Sequence, residues 1–132
     1  MADFIYPTPG RIIEYNVLAL NIIKAKKADK AEVLKHSVLS SVINQMENKE
    51  GDVYDKATVL LKGLIQGHPF ASGNRRTAFI VTKDFILKNK GRFGIADNVS
   101  DARVMQGIRE NYYSESEIKE WLKNGKIRKF ER

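Results

Sequence analysis

The residues best equipped for chemistry stand together in one stretch, His68-Pro69-Phe70-Ala71-Ser72-Gly73-Asn74-Arg75-Arg76. An imidazole, a glycine-led turn, an amide and two guanidiniums fall within nine residues, and an apolar helical segment follows directly. A helix that starts here presents unpaired backbone N–H groups and the positive end of its dipole. Gly73 lets an anion come close to that opening, and Asn74, Arg75 and Arg76 surround it. Phosphate suits such a site, with Arg76 a good bidentate ligand. Arginines in a first turn otherwise oppose the dipole, which favours a bound anion over a plain basic helix start. His68 would sit beside the phosphate, where an imidazole can take a proton from an attacking hydroxyl. Phe70 reads as a core anchor for the loop. The other histidine, His36, lies between Lys35 and Ser37 without such companions and reads as a surface residue.

The elements that must position this stretch are helical. Thr8-Pro9 opens a first helix carrying Ile12, Ile13, Val17, Leu18, Leu20, Ile22 and Ile23, which fades in the lysines at 24–27. Asp29 with Glu32 resembles a capping box for a second helix that ends near Met46. The polar run centred on Gly51 suggests a short hairpin or flap. Tyr54, Ala57, Leu60, Leu61 and Leu64 mark a third helix at 3–4 spacing, stopped by Gly67-His68-Pro69. The fourth helix begins at Gly73-Asn74 and runs to about Asn89, closed by Gly91. It is apolar around most of its circumference, the pattern of a buried central helix. Arg92 to Ile95 reads as extended. A fifth helix follows Asp97-Asn98 with Ala102, Val104, Met105 and Ile108. Ser114 and Glu117 form a capping box for a sixth, with Ile118, Trp121 and Leu122, ending at Gly125. The charged tail beyond about 125 is expected to fray or bind a partner.

At 132 residues the chain is most simply one domain over 1–132, able to bury a core without staples. With no cysteine, disulfides and thiolate metal sites are excluded. The first ten residues lack a secretory pattern, and no apolar run is long enough to span a bilayer, so a soluble, cytoplasmic protein is expected. The formal charge of +7 attracts anionic ligands of many kinds. The basic residues are scattered (Lys24, Lys26 and Lys27; Arg75 and Arg76; Lys126, Arg128, Lys129 and Arg132), with no base-stacking motif among them. That pattern argues against a nucleic-acid partner.

The segment H-P-F-A-S-G-N-R-R-T-A resembles the signature of the Fic/Doc (Fido) family, written HxFx[DE]GNGRxxR in Fic proteins and closer to HxFxDANKRTA in the Doc (death-on-curing) branch. The order of helix, polar flap, helix, motif loop and buried helix is also similar, over residues 8 to 123. The resemblance implies an all-α fold of about six helices around a buried central helix, with a small β-hairpin flap. It implies transfer of part of a nucleotide, or a phosphate, from ATP or another nucleoside triphosphate onto a Ser, Thr or Tyr hydroxyl of a target protein. His68 would be the general base, Gly73 and the backbone amides the anion hole, and Asn74 and Arg76 the phosphate ligands. Residues 45–53, with Gln45, Glu47, Gly51 and Val53, would align the target as an added strand.

Three positions depart from the Fic pattern. Ser72 stands where the family has the acid that holds Mg²⁺, and a neutral hydroxyl is a much weaker ligand for a hard cation. Arg75 replaces the second glycine, as lysine does in Doc, and obstructs the Fic nucleotide pose. Phe79 stands where Fic proteins carry a second arginine. The last two point to the Doc branch, hence to phosphate transfer by a toxin-type regulator of translation or growth. AMP transfer is the alternative, as is a catalytically degenerate nucleotide-binding module that has lost turnover with the acid. The inhibitory pattern [ST]xxxE[GN] is missing: Glu47-Asn48, Glu50-Gly51 and Glu110-Asn111 are preceded at the required spacing by Ile43, Met46 and Gln106. Inhibition would therefore come from a separate antitoxin-like protein.

Overall fold

Thr8 opens the first element: its hydroxyl accepts from the Arg11 amide at 3.1 Å, and Pro9 takes the first helical position, where its missing N–H costs nothing. In this computed structural model, which describes residues 3–23, 31–96 and 100–131, six helices follow in order. They are α1 (Pro9–Ile23), α2 (His36–Asn48), α3 (Val53–Gly67), α4 (Asn74–Lys88), α5 (Ser100–Arg109) and α6 (Glu115–Asn124). The fold is all-helical, as expected, and no strand occurs among the described residues.

α3 is the hub, packed against α2, α4, α5 and α6, while α4 is held between α3 and α1. Ala57, Leu60, Leu61, Leu64 and Ile65 of α3 meet Ala78, Val81, Phe85 and Ile86 of α4 in one core with Ile12, Leu39, Met46, Ile108 and Trp121. α4 is thus less central than its composition suggests. Its apolar residues exceed what its neighbours can cover, and Leu87 is 51% exposed. Val17 and Leu18 of α1 are likewise exposed.

The expected hairpin between α2 and α3 does not form. Gln45 and Glu47 belong to α2, and only residues 49–52 separate the two helices. Asp52 is committed as the α3 N-cap, accepting from the amides of Tyr54 and Asp55, while Asp55 reaches back to the Asp52 amide. Buried Lys56 donates to the carbonyls of Met46 at 2.9 Å and Lys49 at 2.7 Å, which caps the end of α2. These bonds hold the connection as a tight helical corner.

The start of α2 also differs from expectation, falling at His36 and not at Asp29-Glu32. Asp29 and the lysines at 24–27 lie outside the described residues, as do Asp97 and Asn98 before α5. Residues 32–35 are drawn away from helix by long-range backbone bonds: the amides of Leu34 and Lys35 donate to the Pro69 carbonyl, and the Ala71 amide donates to that of Glu32. Val33 and Phe70 form an antiparallel bridge. Past α6, whose Ser114–Glu117 box and Gly125 stop are as read, the tail is docked and not frayed. Phe130 is 5% exposed, its carbonyl accepts from Arg103, and the Arg128 carbonyl accepts from the Tyr113 hydroxyl.

Candidate active site

Two helix ends make the site. α3 stops because His68 turns left-handed, at φ 50 and ψ 58, its amide donating to the Leu64 carbonyl. α4 starts from Gly73, also left-handed at φ 77, and receives no side-chain cap. Glycine suits Gly73 twice over, since a Cβ there would press on Leu20 Cδ2 at 3.1 Å as well as strain the backbone. Between the two ends, Phe70 is 1% exposed and anchors the loop in the core.

Asn74 fixes the loop geometry. Its Oδ1 accepts from the Phe70 amide at 2.9 Å, and its Nδ2 donates to the Phe70 carbonyl at 2.8 Å. The same Nδ2 lies 3.2 Å from His68 Nε2. Because Phe70 sets the orientation of the amide, His68 Nε2 meets a donor and must offer its lone pair. From α5, Arg109 Nη1 lies 3.3 Å from the other ring nitrogen, Nδ1. The single proton of the neutral ring then sits on Nδ1, and a second proton on Nε2 would meet the Asn74 donor beside the cationic Arg109, so the neutral ring is favoured. Burial, then the charges of Arg109, Lys35 and Arg75, hold His68 below its ordinary value of 6.5. The geometry gives a base that is deprotonated at neutral pH.

His68, Ser72, Gly73, Asn74, Arg75, Arg76 and Phe79 line a single cavity of about 550 Å³. The expected phosphate-site residues are therefore brought together. Gln45, Glu47, Gly51 and Val53 are not part of its lining. Gln45 and Glu47 lie in the last part of α2, Gly51 in the corner and Val53 at the start of α3, a helix of 15 residues and so about 22 Å long, whose opposite end carries His68. The segment lying against the motif loop is instead residues 32–35.

Three contributions escaped sequence reasoning. Arg109, Asp101, Ala102 and Met105 of α5 complete the cavity wall. They are remote in sequence from the motif, and no local pattern marks them. Asn16 of α1 is 1% exposed and donates to the Ser72 carbonyl at 2.9 Å and to Thr77 Oγ1 at 3.1 Å. A lone amide one helical turn beyond Ile12, on the buried face of α1, was the available signal. Residues 32–35 were hidden by a local capping pattern that tertiary bonds override.

The family model of the Fic/DOC family matches residues 2–86, and the chain belongs to that family. No curated protein matches the chain. Family membership brings nucleotide-transferring or toxin-type chemistry in general terms. Among the described residues no helix is long and apolar enough to cross a membrane.

Proposed function

We propose that the chain is a Doc-branch transferase that moves the terminal phosphate of ATP, or of another nucleoside triphosphate, onto a hydroxyl of a target protein. The observation carrying this reading is the cavity wall itself, where Arg75 and Phe79 stand beside His68 and Arg76. Arg75 brings bulk and charge to the place where a Fic protein has glycine, and Phe79 supplies no second arginine. Both features disfavour the pose that presents the α-phosphate. His68, kept neutral by burial and the nearby cations, takes the proton of the target hydroxyl on Nε2, the ring nitrogen that carries the lone pair. The uncapped backbone amides at the α4 start and Arg76 hold the phosphate oxygens, while the Asn74 side chain, spent on Phe70 and His68, keeps the loop in shape around them. A target segment would align on residues 32–35, where Val33 already bridges Phe70 and Leu34 is 55% exposed. Such a protein would act as a toxin-type regulator in the cytoplasm, restrained by a separate inhibitor.

Incubation with cell extract and ATP labelled at the α or the γ phosphate tests the reading. Protein labelled from the γ position alone supports phosphate transfer. Label from the α position alone would replace it with AMP transfer.

Ser72 favours a second reading, a nucleotide-binding module without turnover. Restoring an acid with Ser72→Asp and assaying transfer separates the two. Activity confined to the mutant supports the inactive module, and equal activity in both proteins removes it.

A further inference from the structure

Three guanidiniums, of Arg75, Arg76 and Arg109, line the one cavity. None of the ion pairs found among the described residues involves any of them. Like charges grouped around a hollow repel until an anion enters between them. Arg109 is not placed there loosely. Gln66, near the end of α3, donates to the Ile108 carbonyl at 3.0 Å and to Asn111 Oδ1 at 3.3 Å, which ties the end of α5 to the turn carrying His68. Only one nitrogen of the Arg109 fork faces His68 Nδ1. A guanidinium has five N–H donors, so most of its binding capacity is left for a ligand.

The same wall is poor in metal ligands. Ser72 offers a neutral hydroxyl at the position of the usual acid, and among the described residues Asp101 is the one carboxylate in the lining. Among the described residues no group of three His, Cys, Asp or Glu side chains could hold a metal ion. This donor set does not fit Mg²⁺, a hard cation that depends on charged oxygens.

We propose that Arg109 is the third phosphate ligand of the cavity and stands in for the divalent cation, so that the chain holds a nucleoside triphosphate without Mg²⁺. The inference rests on the nucleotide-binding reading above. The guanidinium rests against His68 Nδ1, and a triphosphate draws it onto phosphate oxygens. One residue from a remote helix thus replaces both the cation lost with the acid and the arginine lost at Phe79.

The test is calorimetric binding of ATP to the full chain, in EDTA and in excess Mg²⁺, for wild type, Arg76→Gln, Arg109→Gln and Arg109→Lys. Wild type is expected to bind in EDTA and to gain less than about threefold from Mg²⁺. Arg109→Gln should weaken binding by about tenfold or more, the effect of losing a charge-assisted phosphate contact. Lysine should restore part of it, keeping the charge without the fork. The His68 ring titration, followed by NMR, should move up in Arg109→Gln, which checks that the guanidinium rests beside the ring, and in wild type ATP should shift the Arg109 side-chain signals directly. Wild-type affinity in Arg109→Gln overturns the proposal. So does a gain of about tenfold or more from Mg²⁺ in wild type, and loss of that gain in Asp101→Asn would give the metal to Asp101. If Arg76→Gln binds weakly while Arg109→Gln binds normally, the nucleotide reading stands and only the role of Arg109 falls. If wild type binds no nucleoside triphosphate, both fall together.

Discussion

The side-chain amide of Asn74 serves two masters: it closes a pair of hydrogen bonds with the backbone of Phe70 and sets its remaining N–H 3.2 Å from His68 Nε2. Loop shape and ring orientation are therefore joined at one residue. Asn74 is 6% exposed, so its replacement leaves the Phe70 amide and carbonyl without partners in the interior. Asn74→Ala should destabilise the fold by about 2–4 kcal/mol, the cost of two buried unpaired groups. Urea denaturation reads this, and catalytic activity should fall further than the loss of folded protein explains.

The pH dependence follows from the same ring. His68 is held below 6.5, so the acidic limb of kcat/KM should lie below pH 6.5 and the rate should be flat through neutrality. Between the lowered folded value and 6.5, the unfolded chain binds more protons than the native one. Stability from this group is thus present above 6.5 and is lost as pH falls through the folded value. A His36→Gln background leaves a single histidine signal, and an NMR midpoint at or above 6.5 would contradict the site geometry.

Asn16 holds α1 to the motif loop through a carbonyl and a hydroxyl, both of which need its N–H groups. Asn16→Ala should cost about 1–3 kcal/mol. Asn16→Asp should be worse at neutral pH, since it sets a buried carboxylate against the Ser72 carbonyl. Melting temperatures should fall in that order, with the transfer rate falling alongside.

The docked tail can be tested away from the site. Phe130 packs with Tyr112 at 5.1 Å between ring centroids, and the Arg103 guanidinium lies 5.6 Å from its ring centre. Phe130→Ala should cost about 3–5 kcal/mol, the range for a large buried aromatic. Nearby, the hydrogen bond from Arg128, helped by the Ser114 amide, holds Glu117 down to about 2. Its contribution is present above 4.5 and is lost as pH falls toward about 2. Acid titration of stability should lose part of its slope in Glu117→Gln.

What the sequence made legible was local. The Thr8-Pro9 start, the stop at His68-Pro69, the α4 start at Gly73 and the Ser114–Glu117 box each depend on residues within a turn of one another. The motif cluster was readable for the same reason. Long-range bonds were not. Pro69 accepts two amides from residues 34 and 35, which pulls that segment out of a helix its local pattern favours. Lys56 reaches back to Met46 and Lys49, which replaces a hairpin with a corner. Arg109 meets His68 across 41 positions of chain, and only the packing of α5 on α3 brings them together.

The left-handed backbone at His68 bears on how this protein could change over generations. Few side chains accept φ 50 without strain, and asparagine and aspartate are among those that do. Each is a single base away from a histidine codon. One nucleotide change can therefore remove the proton acceptor while the helix stop, the loop and the ligand cavity keep their shape. A well-folded copy of this protein without its imidazole thus lies a single base change away.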